Sequence, residues 1–239
     1  GIPLPHVDDG FTTGKKGSSV ELTIDSRMQE VLERELLQAM EKYDSTQALG
    51  IIMNPKTGEL LSLASVPTFH PADYQNVDPS IYNRNLPVWM TFEPGSTFKI
   101  VTLAAGLEEK VIDLHNQHFF DPGYVMVEGA RLRCWKRSGH GDQTFLEVVE
   151  NSCNPGFVEI GQRLGGKKLD QYIRAFGFGQ STGSGIAGEA KGILFSEKSF
   201  GPVEQATTAF GQGISVTPIQ QVQAVAAAIN GGYLYRPYI

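Results

Sequence analysis

The stretch Glu93-Pro94-Gly95-Ser96-Thr97-Phe98-Lys99, continued by Ile100-Val101-Thr102-Leu103-Ala104-Ala105, constrains this chain more than any other. Pro94 and Gly95 break the preceding chain, and the apolar run beyond reads as a buried helix, so Ser96 falls in its first turn. Lys99, three residues on, stands beside Ser96 on one helix face. A serine hydroxyl is a weak nucleophile until a base takes its proton. A lysine packed near an apolar helix suits that task, because desolvation disfavours its charged form. The helix N-terminus also favours negative charge on the serine oxygen. Alone the spacing is weak: about one Ser-x-x-Lys is expected by chance in a chain this long, and a capping serine followed by a surface lysine gives the same pattern. Yet Ser96 is the only serine here with lysine at i+3.

Ser152-Cys153-Asn154 is the only Ser-x-Asn. It follows a helical-looking segment, Phe145 to Asn151, and precedes Pro155-Gly156. A hydroxyl and an amide two residues apart in a loop can face one cleft, one relaying a proton and the other holding a substrate amide. The bland alternative is a helix C-cap, where Ser and Asn bond local backbone.

Together with Gly211-Gln212-Gly213-Ile214-Ser215-Val216-Thr217-Pro218, these stretches resemble the transpeptidase domain of class B penicillin-binding proteins. The run looks closest to the sporulation branch, with the cell-division transpeptidases next, and the resemblance extends from about Val20 onward. It implies an α/β (α+β) fold of the penicillin-binding-protein and serine β-lactamase type, an antiparallel sheet flanked by helices. Residues 19–239 would form the transpeptidase domain and 1–18 a linker leading into it. It implies Ser96 as nucleophile, Lys99 as base, Ser152 as proton relay and Asn154 as substrate-binding residue. The implied substrate is the D-alanyl-D-alanine end of a peptidoglycan stem peptide, cross-linked through a serine acyl-enzyme that β-lactams also form. Spore cortex synthesis is the implied setting. No cofactor or metal is implied. Other cell-wall synthesis proteins are the implied partners, at the extracytoplasmic face of the bacterial membrane, with an anchor N-terminal to this chain.

The family's third motif, Lys-Thr-Gly, lies on an interior strand after the second. Lys56-Thr57-Gly58 is the only such tripeptide here, but it precedes Ser96 and sits in a hairpin turn, so its expected work is to turn the chain. The motif and the sheet strands after it are therefore expected beyond Ile239. A missing oxyanion donor alone is worth about 2.7–4 kcal/mol, so the segment in hand is expected to be inactive by itself. Rival readings are a serine β-lactamase, for which no deacylating base is identified, a β-lactam sensor, a carboxypeptidase that passes the acyl group to water, and a non-catalytic cell-wall scaffold.

The rest of the sequence narrows the classes. A chain of 239 residues with 41% hydrophobic and 19% charged residues suits one large globular domain. The net charge of −6, with no basic stripe, argues against nucleic acid as a partner. No apolar run approaches the roughly 20 residues of a membrane-spanning helix, and the chain reads as an excised domain. Gly183-Ser184-Gly185-Ile186-Ala187-Gly188 matches a dinucleotide pattern but lacks the flanking strand and helix, and reads as a loop. His115-x-x-His118 is read as a solvated loop. Cys134 and Cys153 lack the paired spacing of a zinc site. Since family members act where disulfides persist, the two cysteines are a candidate redox pair beside the cleft, the alternative being two small buried hydrophobes.

Patterning predicts a strand at 20–24, a helix capped by Asp25-Ser26 with a Ser26–Gln29 capping box running to about Tyr43, and strands at 48–53 and 59–65. It predicts a long irregular segment at 66–92 bordering the cleft, and a strand pair over 119–134 turning at Glu128-Gly129. Helices follow at 144–150, 155–164, 167–176 and 218–229, and a strand begins at Tyr233-Leu234-Tyr235.

Overall fold

A computed structural model describes residues 16–239. Most of the expected linker, residues 1–15, lies outside the described residues, and 16–18 have no regular structure. In chain order the elements are α1 (Ser26–Lys42), β1 (Ala48–Met53), β2 (Leu60–Val66), the short helices α2 (Pro79–Tyr82) and α3 (Leu86–Trp89), then α4 (Lys99–Glu108). Four short strands follow, β3 (His118–Asp121), β4 (Tyr124–Val127), β5 (Ala130–Arg133) and β6 (Gly141–Thr144). The chain ends in α5 (Phe145–Glu150), α6 (Asn154–Leu164), α7 (Gly166–Ala175), α8 (Pro202–Thr208) and α9 (Pro218–Ile229). All strand pairs are antiparallel two-stranded units: β1 with β2, β3 with β6, β4 with β5. The mixed helical and antiparallel architecture expected from the sequence is thus present, with its sheet in three pieces.

The core is mainly helical. Val101 and Ala105 of α4, Phe157, Val158 and Ile160 of α6, Leu169 and Ile173 of α7 and Ala224 of α9 pack in one buried cluster with Phe98, Phe145 and Phe178. These are apolar side chains at helical spacing, and removing them from water is the main favourable term in folding. Leu60, Val88 and Ile219 form a smaller cluster joining the β1–β2 hairpin to α3 and α9.

Several local expectations are corrected. Residues 20–24 form no strand: Val20 and Leu22 are exposed, and only Thr23 and Asp25 reach β2, through bonds to the Leu60 and Leu61 carbonyls. Alternation without a partner ladder does not make a strand. Asp25, not Ser26, caps α1, its carboxylate accepting from the Arg27 and Met28 amides. Gln29 leaves the expected capping box and docks on β2, accepting from Ser62 Oγ and the Leu63 amide while donating to the Leu63 carbonyl. The 66–92 segment contains three short helical pieces, the kinked 3-10 stretch Pro71–Asn76, α2 and α3, each with Pro at its start. Part of the segment lines a groove with Gln29 and Glu33 of α1, and its end, Phe92, pairs with Val216 just before the Ser96 turn. The predicted 119–134 strand pair is β4–β5, while 118–121 turns away to pair with β6. Helix α8 was not predicted. Tyr233–Tyr235 is not a strand, and beyond it Tyr238 forms an isolated bridge with Glu59.

Candidate active site

Ser96 lies in a 3-10 turn, Gly95–Phe98, that runs straight into α4. The turn is held from below by the stretch 209–221. The Gly95 amide donates to the Gly211 carbonyl at 2.9 Å, and Phe92 and Val216 exchange backbone bonds at 3.0 and 2.9 Å. Glu93 Oε1 accepts from the Gly213 amide at 2.9 Å, and Gln221 Nε2 donates to the Thr97 carbonyl at 2.9 Å. Thr102, fully buried on α4, donates to the Ala209 carbonyl at 2.8 Å. Gly211 has φ +83°, and a methyl group on it would overlap the Gly95 carbonyl, so glycine is required where the two backbones meet.

Ser152 and Asn154 reach the same place from the junction of α5 and α6. The capping box of Thr144 and Glu147 starts α5, and Pro155 sits in the first turn of α6. Between the helices Ser152 takes φ +48°, a left-handed conformation uncommon for a side chain with a Cβ. Lys99 binds the two motifs together. Its side chain is buried, and Nζ donates to the Ser152 carbonyl at 2.8 Å, Ser152 Oγ at 3.0 Å and Asn154 Oδ1 at 2.7 Å. Those are all three donors of an ammonium. The Phe157 ring lies 5.1 Å from Nζ. Ser152 Oγ in turn donates to Ser96 Oγ at 3.1 Å, and Asn154 Nδ2 donates to the Arg133 carbonyl at 3.2 Å.

The four predicted side chains are therefore connected, though not as helical spacing alone suggests. The amine meets Ser152 and Asn154, and its link to Ser96 passes through the Ser152 hydroxyl. Burial pulls the Lys99 pKa down to about 8, against the opposing pull of Cys153 and Cys134. Ser96 is exposed above the buried amine, so its hydroxyl is open to solvent while the amine stays desolvated.

Cys134 and Cys153 are both buried and both free thiols. Burial pushes the Cys153 thiol up to about 12 and raises Cys134 as well. They adjoin two side chains that sequence reasoning did not single out, Asp121 and His140. No short spacing joins positions 121, 134, 140 and 153, so only the folding of the β3–β6 region onto α6 gathers them. His115 and His118 are exposed, and His118 pairs with Asp142 at 3.0 Å. Gly183–Gly188 is a loop and Lys56-Thr57-Gly58 a turn, as read from the sequence.

Residues 48–239 match the family model described as the penicillin binding protein transpeptidase domain. The whole chain is 62% identical to stage V sporulation protein D of Bacillus subtilis, spanning 37% of that protein's length. Over 92% of the chain it is 32% identical to a peptidoglycan D,D-transpeptidase FtsI homolog of Mesostigma viride, of which it spans 38%. Among solved structures, the transpeptidase domain of Burkholderia pseudomallei penicillin-binding protein 3 superposes with a TM-score of 0.79 at 28% identity, covering 91% of this chain and 60% of that one. The chain that brings the Ser96 turn, the Lys99 amine and the Ser152–Asn154 loop together thus belongs to the transpeptidase domain family of penicillin-binding proteins.

Proposed function

We propose that this domain carries the acylation centre of a peptidoglycan D,D-transpeptidase. One observation carries the reading: the continuous path from Ser96 Oγ through Ser152 Oγ to Lys99 Nζ, at 3.1 and 3.0 Å, with the amine's pKa drawn toward neutrality. In its neutral form Lys99 accepts the proton of Ser96, by way of Ser152, as the oxygen attacks the carbonyl of the penultimate D-alanine. The tetrahedral intermediate collapses, the C–N bond breaks, and Ser152 passes the proton back to the departing D-alanine amine. A neighbouring strand's amine then attacks the ester, forms the cross-link and restores the Ser96 hydroxyl. Asn154, steadied by the Arg133 carbonyl, holds the substrate amide. A β-lactam acylates Ser96 by the same first step.

The identity with a protein named for sporulation supports a role in spore cortex synthesis, outside the membrane and among other cell-wall enzymes. No described helix is long and apolar enough to cross a membrane. Cys134 and Cys153, with sulfurs within 4.8 Å of each other, form the redox pair of this reading. The mass of the protein before and after reduction checks that pairing.

The full-length protein treated with a fluorescent penicillin is expected to carry one adduct, mapped to Ser96 and absent in Ser96→Ala. Labelling that survives this substitution overturns the assignment. Fast turnover of the adduct by water would instead identify a β-lactamase.

A further inference from the structure

Behind the second motif, Asp121 at the end of β3, Cys134 after β5, His140 before β6 and Cys153 at the N-cap of α6 bring one donor atom each to a common point. The four atoms lie within 4.8 Å of one another. Asp121 Oδ2 is 2.8 Å from His140 Nδ1 and 3.3 Å from Cys153 Sγ, and Cys134 Sγ is 3.5 Å from His140 Nδ1. A tetrahedral zinc ion with bonds of about 2.0–2.3 Å holds its donors roughly 3.3–3.8 Å apart, so the cluster already approximates the cage. We propose that Asp121, Cys134, His140 and Cys153 form a structural zinc site.

Four observations support the metal over a set of inert buried side chains. The side chains of Asp121 and His140 are 0% and 5% exposed, and both cysteines are buried, so water does not compensate the carboxylate. The Gly123 amide holds Asp121 Oδ1 at 2.7 Å, and Oδ2, which also accepts from the His140 backbone amide at 3.1 Å, faces the cluster. His140 Nε2 is buried without a partner, so the ring's polar contacts are all on the Nδ1 side, within the cluster. Finally, two sulfurs, one imidazole and one carboxylate are a donor set that suits zinc, whereas magnesium and calcium take oxygen ligands. Charge closes as well. Zinc replaces the two thiol protons, which leave to solvent, so the cluster holds one net negative charge before and after.

The site adds a function to the loop it underlies. Cys153 stands between Ser152 and Asn154, so a bound ion ties both to the β3–β6 region. It also makes zinc and a disulfide alternatives. Closing the disulfide takes two electrons and two protons from the thiols, accepted by a disulfide-bearing oxidant, and thiolates held by zinc are protected from that exchange.

The test is independent of Ser96 chemistry. The full-length protein, reduced and kept free of oxygen, is titrated with zinc against a chromophoric chelator, and with cobalt as a spectroscopic probe. The expected result is one zinc per chain, two protons released, tetrahedral thiolate–cobalt bands, and thiols shielded from an alkylating reagent until a chelator is added. Cys153→Ser and Cys134→Ser lose the site, and His140→Gln and Asp121→Asn weaken it by roughly tenfold or more. If the reduced, folded wild-type protein takes up no zinc, the site does not exist, whatever the variants do. Zinc bound equally well by His140→Gln and Asp121→Asn also overturns the four-residue site.

Discussion

Lys99 donates all three of its hydrogens to Ser152 and Asn154 and none to Ser96, and this fixes what each side chain should do when removed. Ser152→Ala cuts the path to Ser96 while leaving the Ser152 carbonyl and Asn154 to hold the amine. Its acylation rate by penicillin is expected to fall by about 10²–10⁴, the range of a lost proton-transfer partner, with Ser96 still labelled at long times. An unchanged rate would remove Ser152 from the relay. The Lys99 pKa near 8 gives a pH dependence with a definite sign. At pH 7 about a tenth of the molecules hold the neutral amine, so acylation is expected to rise with pH and level off above about 8. Stability follows the same group. Its folded pKa lies below the unfolded 10.5, so between pH 8 and 10.5 the unfolded chain binds more protons and the Lys99 contribution rises with pH. A flat acylation profile from pH 6 to 9 would place the base elsewhere.

At the scale of elements, the turn that carries Ser96 depends on a stretch more than a hundred residues later. Gly211→Ala forces a side chain into φ +83° and against the Gly95 backbone. It is expected to cost about 1–3 kcal/mol in thermal or denaturant unfolding and to slow acylation by displacing Ser96. Thr102→Val keeps the shape but leaves the buried Ala209 carbonyl without its donor, an expected loss of about 1–3 kcal/mol. If Thr102→Val is as stable as the parent, that bond is not what fastens α4 to the end of α8. The same scale explains the local misreadings. Gln29 sits where a capping box expects it, but β2 offers it three bonds from a partly buried strand, against one at the helix end. Residues 20–24 alternate properly yet find no neighbouring strand.

Across the whole molecule, burial is uneven. Helix α1 buries no residue fully, whereas α4 and α6 supply much of the core. Amide hydrogen exchange is therefore expected to be slowest in α4 and α6 and markedly faster along α1, which can open without exposing the main cluster. Equal protection of α1 and α4 would show that the two unfold together. Such an arrangement seats the Ser96 turn directly on deeply buried helix α4.

The sequence by itself determined the features that depend on neighbours along the chain. The breaker at Pro94-Gly95, the helix after it, the i+3 spacing of Ser96 and Lys99, the Ser152–Asn154 loop before Pro155 and most helix boundaries follow from local sterics and from periodicity, which act over a few residues. Only the tertiary structure decided that the amine turns to Ser152 and Asn154 rather than to Ser96, that Gly211 must lie against Gly95, and that Asp121 and His140 join the two cysteines. Those contacts join residues 6 to 116 positions apart, set by how helices and short strands pack, and no spacing along the chain encodes them.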